Sequence, residues 1–170
     1  MSASGQAFII RSRAYLRSEY LPKIRRCIEE IQDEDVWWRP GSRSNSIGNL
    51  ILHLDGNVRQ WVVSGIGGEP DVRERQQEFA ADGGLGRRDL LALLERTLLD
   101  VDGVLERFDA ERLLERRMIQ GHDVSVLEAL YHAVEHFGMH TGQIIYITKL
   151  RTSRDLGFCE IRAGHPRPTW

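Results

Sequence analysis

The sequence predicts an all-α fold, a four-helix bundle, on three observations. Apolar residues recur at three- and four-residue steps in four long stretches. Polar joints separate those stretches. The composition, 41% hydrophobic and 28% charged over 170 residues, is that of an ordinary globular protein long enough to bury one good core. A single domain over residues 1–170 is expected, with a C-terminal tail from about residue 152.

The first stretch, Ala7 to Ile31, carries Phe8, Tyr15, Leu16, Ile24, Cys27, Ile28 and Ile31. Pro22 lies inside it and should kink the helix or restart it at Leu21, because proline lacks the N–H and its ring meets the carbonyl four residues back. Asp33 to Trp38 reads as a short turn with paired tryptophans used in packing, and Arg39-Pro40-Gly41-Ser42 as a loop. The second helix starts at Asn45 or Ser46 and runs to Ser64, with Ile47, Leu50, Ile51, Leu54, Val58, Trp61 and Val62 as its core stripe. Gly65 to Gly86 is the longest interruption. A structureless connection of that length is uncommon, so a helical turn around Val72 to Phe79 is expected, either as a lid or as a linker with Phe79 tucked into the core. The third helix, Arg88 to Phe108, is carried by Leu90, Leu91, Leu94, Leu98, Val101 and Leu105. Arg117 to Val124 reads as extended. Ser125, with Glu128 three residues on, forms a capping box for the last helix, which continues through Leu150. The tail from Gly157 to Trp170 should pack through Phe158, Ile161 and Trp170.

The chemistry concentrates in the last helix. His132, His136 and His140 recur every fourth residue, so neighbours lie one turn apart on one side. Against the apolar stripe Leu130, Ala133, Phe137, Ile144 and Ile147, His140 falls roughly 60° from centre, His136 roughly 100° and His132 roughly 140°. Eight residues climb about 12 Å, whereas a zinc–nitrogen bond is about 2 Å, so all three cannot hold one ion. His136 and His140 are the better pair. On the second helix His53, Asn57 and Trp61 climb one edge of the core stripe, and His53 would complete a three-nitrogen set with one coordination position open. Taken alone, each histidine is more often polar filling than a ligand.

Other classes are disfavoured. Formal charge is −2, and the basic residues, nearly all arginine, are mixed with acids instead of clustered, which argues against nucleic acid as a partner. No apolar run approaches the length of a membrane span, and MSASGQAFII lacks the build of a signal peptide, so no membrane association and a cytoplasmic location are expected. Cys27 and Cys159 form no framework and are expected as reduced thiols.

SIGNLILHLDGNVRQW (residues 46–61) and ALYHAVEHFGMHTGQIIYITKL (residues 129–150), with the RPGSRSNSIGNL lead-in, the SGIGGEPDVRERQQEF loop and the IQGHDVSVLEALYH approach, resemble the DinB-like superfamily, closest to a small single-domain branch. The resemblance spans nearly the whole chain. It implies an up-down-down-up four-helix bundle, often a homodimer, that holds a divalent metal, usually nickel or zinc, on one histidine of the second helix and two of the last. Carried over by motif, the ligands are His53 in HLDGN and His136 and His140 before TGQ. Asn57 and Gln143 match polar positions beside that site. His132 also lies in the motif; it takes no ligand role and is grouped with these polar neighbours.

Some members of the superfamily use the metal to activate a low-molecular-weight thiol, so a metal-dependent thiol transferase acting on a small electrophilic substrate, in detoxification or stress, leads. A single domain without the extra domain of the thiol-dependent maleylpyruvate isomerase is expected, which disfavours that particular reaction. A metal-dependent hydrolase that activates water comes second, although no acid, Glu135 included, points at the site on the helical projection. A non-enzymatic metal-binding stress or assembly protein is the third reading.

Overall fold

The computed structural model describes residues 3–170. Its first helix, α1, is continuous but changes pitch: Ala3–Ala14 is α-helical, Tyr15–Tyr20 is a π turn and Leu21–Glu30 is α-helical again. The wide turn ends at Leu21, whose N–H donates to the carbonyl of Leu16. It stands directly ahead of Pro22, where an α-helical ladder would lose a donor and crowd a carbonyl. Proline thus alters the pitch without interrupting the helix.

A short helix α2 (Asp33–Val36) follows, and Trp37 then lies over Gly48, where an added Cβ would stand 2.7 Å from the indole ring. The Trp37 indole N–H donates to the Leu85 carbonyl, and Trp38 stacks under the Arg151 guanidinium. Helix α3 comprises Ile47–Val58 and a π turn over Arg59–Ser64. Its start is set by Ser46, whose hydroxyl accepts from the Asn49 N–H while Asn49 Oδ1 accepts from the Ser46 N–H, satisfying two of the otherwise orphaned donors. Helix α4 (Arg75–Ala80) lies within the long connection, where a helical turn was expected. Helix α5 (Arg87–Arg107) and helix α6 (Val126–Thr152) complete the long helices, the latter capped by Ser125 and Glu128. Helix α6 stops at Ser153, which adopts a left-handed φ of 54°.

One core joins these elements. Helix α3 packs on α5 and α6, and α1 packs on α6 and α5. Phe137 is the largest fully buried side chain, in one cluster with Leu50, Ile51, Leu54, Leu94, Leu98 and Leu130. No helix among the described residues is long and apolar enough to cross a membrane. Both cysteines are free thiols, Cys27 buried and Cys159 exposed.

The all-α expectation is corrected in one respect: the chain is predominantly helical but carries two small antiparallel sheets. Strands β1 (Arg116–Ile119) and β2 (His122–Ser125) pair through a two-residue turn, as do β3 (Cys159–Arg162) and β4 (His165–Pro168). The turns are Gln120-Gly121 and Ala163-Gly164, with positive φ at both residues of each. This is the geometry that matches strand twist, and it is usually signalled by Asn-Gly or Asp-Gly. Strands of four residues with unusual turn residues leave little periodicity to read. Gly65 makes the first hairpin possible, since a Cβ there would stand 2.5 Å from Ile119.

The tail is tied down chiefly by Arg26, which donates to the carbonyls of Leu156, Gly157 and Thr169. Trp170 lies 3.6 Å from the Lys23 ammonium and donates to Glu19. Phe158 packs as expected, but Ile161 is 70% exposed, because its hairpin stands off the helices. We predict that Phe137→Ala costs about 3–5 kcal/mol in urea denaturation, whereas exposed Leu114→Ala stays within about 0.5 kcal/mol. Equal costs would contradict this placement of the core.

Candidate metal centre

The Ser46 cap and the apolar stripe of α3 orient His53 toward α6, where His136 and His140 stand on successive turns. His53 and His140 are 5% and 8% exposed, and His136 is half-buried. The three rings offer nitrogens that all lie within 4.8 Å of one another. His136 Nε2 is 3.1 Å from His53 Nε2 and 3.1 Å from His140 Nε2. Around a tetrahedral ion with metal–nitrogen bonds of about 2.0–2.1 Å, ligand nitrogens stand about 3.3 Å apart. The two separations from His136 are close to that.

Proton placement sharpens the fit. His53 Nδ1 lies 2.8 Å from Glu78 Oε2 and also 3.1 Å from Arg73 Nη2. A carboxylate can only accept, so Nδ1 carries the proton and donates to Glu78; the guanidinium contact is a near approach of two donors. His140 Nδ1 is 2.7 Å from Gln143 Oε1 and donates to it. Both Nε2 atoms therefore present lone pairs to His136 Nε2. One proton on His136 can satisfy only one of them, and three converging lone pairs are what a divalent cation requires.

Burial keeps His136 and His140 neutral. Burial pushes the His136 imidazole down to about 3, with repulsion from His140 and His53 adding to it. Burial also lowers His140, against the opposing hydrogen bond to Gln143. For Glu78, burial works to raise the pKa, but hydrogen bonds from Arg73 and His53 prevail and hold it below the usual carboxylate range.

His132 stands one turn further along α6 and is not among the converging rings. Its Nε2 is 3.4 Å from Asn57 Nδ2, its ring is 4.1 Å from Trp61, and burial lowers its pKa. Asn57 therefore meets His132 and not the three-histidine group, whereas Gln143 touches His140 directly. Asn57 Oδ1, Trp61 Nε1 and His136 Nδ1 are buried without a protein hydrogen-bond partner. Glu135 is exposed.

The residues that sequence reasoning missed are Arg73 and Glu78 on the long connection, with Asn49 and Gln60 of α3 that hold it. Arg73 and Glu78 form a buried ion pair at 2.6 Å, and Arg73 reaches on to Gln60, which donates to Asp71. Phe79 packs its ring 4.6 Å from that of His53. Asn49 Nδ2 donates to the carbonyls of Glu78 and Ala81, binding the segment to α3. The connection is thus strapped over the outer side of His53. Its readable signals were its length and Phe79; nothing in the local pattern marks Glu78 as buried.

The low pKa of His136 has a consequence for stability. In the unfolded chain its imidazole takes a proton near 6.5, in the folded chain only near 3, so the unfolded state binds more protons between those values. Stability of metal-free protein is expected to fall as pH drops below about 6.5, already above the carboxylate range. Urea midpoints should show the slope, and His136→Phe should flatten it. An unaltered slope in that variant would contradict the assignment.

Comparison with known proteins agrees with this architecture. The family described as Protein of unknown function (DUF1572) matches residues 4–165. No curated protein matches the chain in sequence. Among solved structures, a DinB-like protein from Bacillus cereus ATCC 10987 superposes with a TM-score of 0.65 at 13% identity, covering 84% of this chain and 90% of the other. A DinB-like protein from Bacillus subtilis gives 0.62 at 18% identity, covering 83% and 92%. A conserved protein from Enterococcus faecalis gives 0.64 at 13% identity, covering 91% and 98%. At these identities the likeness is one of fold. The chain belongs to the DUF1572 family and has a DinB-like fold.

Proposed function

We propose that this protein is a metal-dependent enzyme that activates a low-molecular-weight thiol for transfer to an electrophile, with His53, His136 and His140 as the ligands of one zinc or nickel ion. The observation that carries the reading is the convergence of three imidazole nitrogens with no carboxylate among them. A divalent ion held this way keeps its charge and strongly acidifies a thiol or water that takes its open position. Glu78 and Gln143 orient two of the rings from behind. In the overall reaction the thiol sulfur bonds to the electrophilic carbon, the leaving group departs with its electron pair, and the thiol proton passes to solvent.

In this reading the whole chain is one domain, an up-down-down-up bundle of α1, α3, α5 and α6. The Gly65–Gly86 connection supports it, being long enough to bring the chain back so that α3 and α5 run the same way. We assign the protein to the cytoplasm as a homodimer without a nucleic-acid or membrane partner. Exposed Tyr131, Met139, Tyr146 and Leu150 on α6 are consistent with pairing.

The test uses untagged protein stripped of metal and reloaded with zinc or nickel, assayed with a small thiol and an aryl halide. Turnover is expected only with metal and thiol together, and His53→Ala, His136→Ala and His140→Ala should each abolish it and lower bound metal below one ion per chain. Hydrolysis of activated esters without thiol would replace this reading with a hydrolase. Full metal loading with no turnover of either kind would leave a non-enzymatic metal-binding protein.

A further inference from the structure

We propose that Glu78 is a positioning residue for the metal centre: carried on the segment from Asp71 to Ala81, its carboxylate holds His53 in the form protonated at Nδ1 and keeps the Nε2 lone pair aimed at the other two histidines. This deepens the metal reading above and rests on it.

A histidine that binds a cation through Nε2 must carry its proton on Nδ1, and a carboxylate behind the ring both selects that form and makes the nitrogen a stronger donor. Glu78 meets the geometric requirement, with Oε2 2.8 Å from His53 Nδ1 and only 8% of the residue exposed. The carboxylate is itself immobilised. Arg73 Nε donates to Oε1 at 2.6 Å and Arg73 Nη2 to Oε2 at 2.9 Å, a two-pronged pairing that fixes the plane of the group. Arg73 is held in turn by Gln60 Oε1, and Gln60 by Asp71. Asn49 clasps the backbone of the segment at Glu78 and Ala81, one helical turn before His53. Apart from the Arg73–Glu78 pairing within the segment, these links run between the segment and the α3 helix that bears the first ligand. Gly56 leaves room for the carboxylate, since a Cβ there would stand 2.1 Å from Glu78 Oε1. A solvated linker needs none of these features.

The experiment compares zinc affinity, measured against a competing chelator, for untagged full-length protein and for Glu78→Gln and Glu78→Asp. Nitrogen-15 NMR of the imidazoles in the metal-free proteins is recorded in parallel. Zinc affinity should fall about 10–100-fold in Glu78→Gln, with Glu78→Asp in between. His53 should be protonated at Nδ1 in the parent protein and become a mixture of forms in Glu78→Gln. A purely structural role would lower the melting temperature without moving that signal. A folded Glu78→Gln protein with parental affinity would overturn the proposal alone, as would a parent protein whose His53 is protonated at Nε2, a readout that stands even if the variant fails to fold. Absence of zinc binding in the parent protein would overturn the metal reading itself, and this proposal with it.

Discussion

Three imidazole nitrogens gathered within 4.8 Å of one another are the constraint on which the site depends. Left to themselves, two lone pairs that share at most one proton on His136 are buried away from water, an arrangement that folding alone does not favour. It persists here because each ring is embedded in a rigid frame. His136 and His140 are spaced by the helical repeat of α6, and His53 is delivered by α3. The frame is the apolar core beneath, where Phe137, Leu50 and Leu54 bring the two helices together.

Caps and hydrogen bonds convert that frame into a specific geometry. Ser46 with Asn49, and Ser125 with Glu128, set where the two ligand-bearing helices begin and hence the rotation of each about its axis. Asn49 has a second role, since its amide also grips the segment that carries Glu78. The side of the rings away from the shared centre is filled by polar partners, Glu78 behind His53 and Gln143 behind His140. Only His136 lacks such a partner, and its neighbours Asn57 and Trp61 also retain unpaired buried polar atoms. That side of the centre has unspent hydrogen-bonding capacity.

Much of this was readable because helices encode their faces with a period that survives in the sequence. The angle from the apolar stripe selected His136 and His140 over His132, and the flank position of His53 on a separate helix made it the natural third residue. These are the residues whose ring nitrogens converge. What was not readable depends on contacts distant in sequence. Glu78 looks like any acid on a charged surface turn, and its burial follows only once the segment folds back on α3 and Arg73 pairs with it. The hairpins were hidden because each strand is four residues long and each turn uses a residue other than Asn or Asp at positive φ. The first π turn stands beside Pro22, and neither π turn leaves a periodicity of its own to read.

What matters most is whether imidazoles from two helices hold a single divalent ion and leave room for one exchangeable ligand. X-ray absorption at the metal edge of untagged protein carrying one zinc per chain tests it most directly. The expected spectrum shows three imidazole nitrogens at about 2.0–2.1 Å and a single further light atom that a small thiol replaces with sulfur. Fewer than three imidazoles, or a closed four-ligand shell that added thiol leaves unchanged, would contradict it.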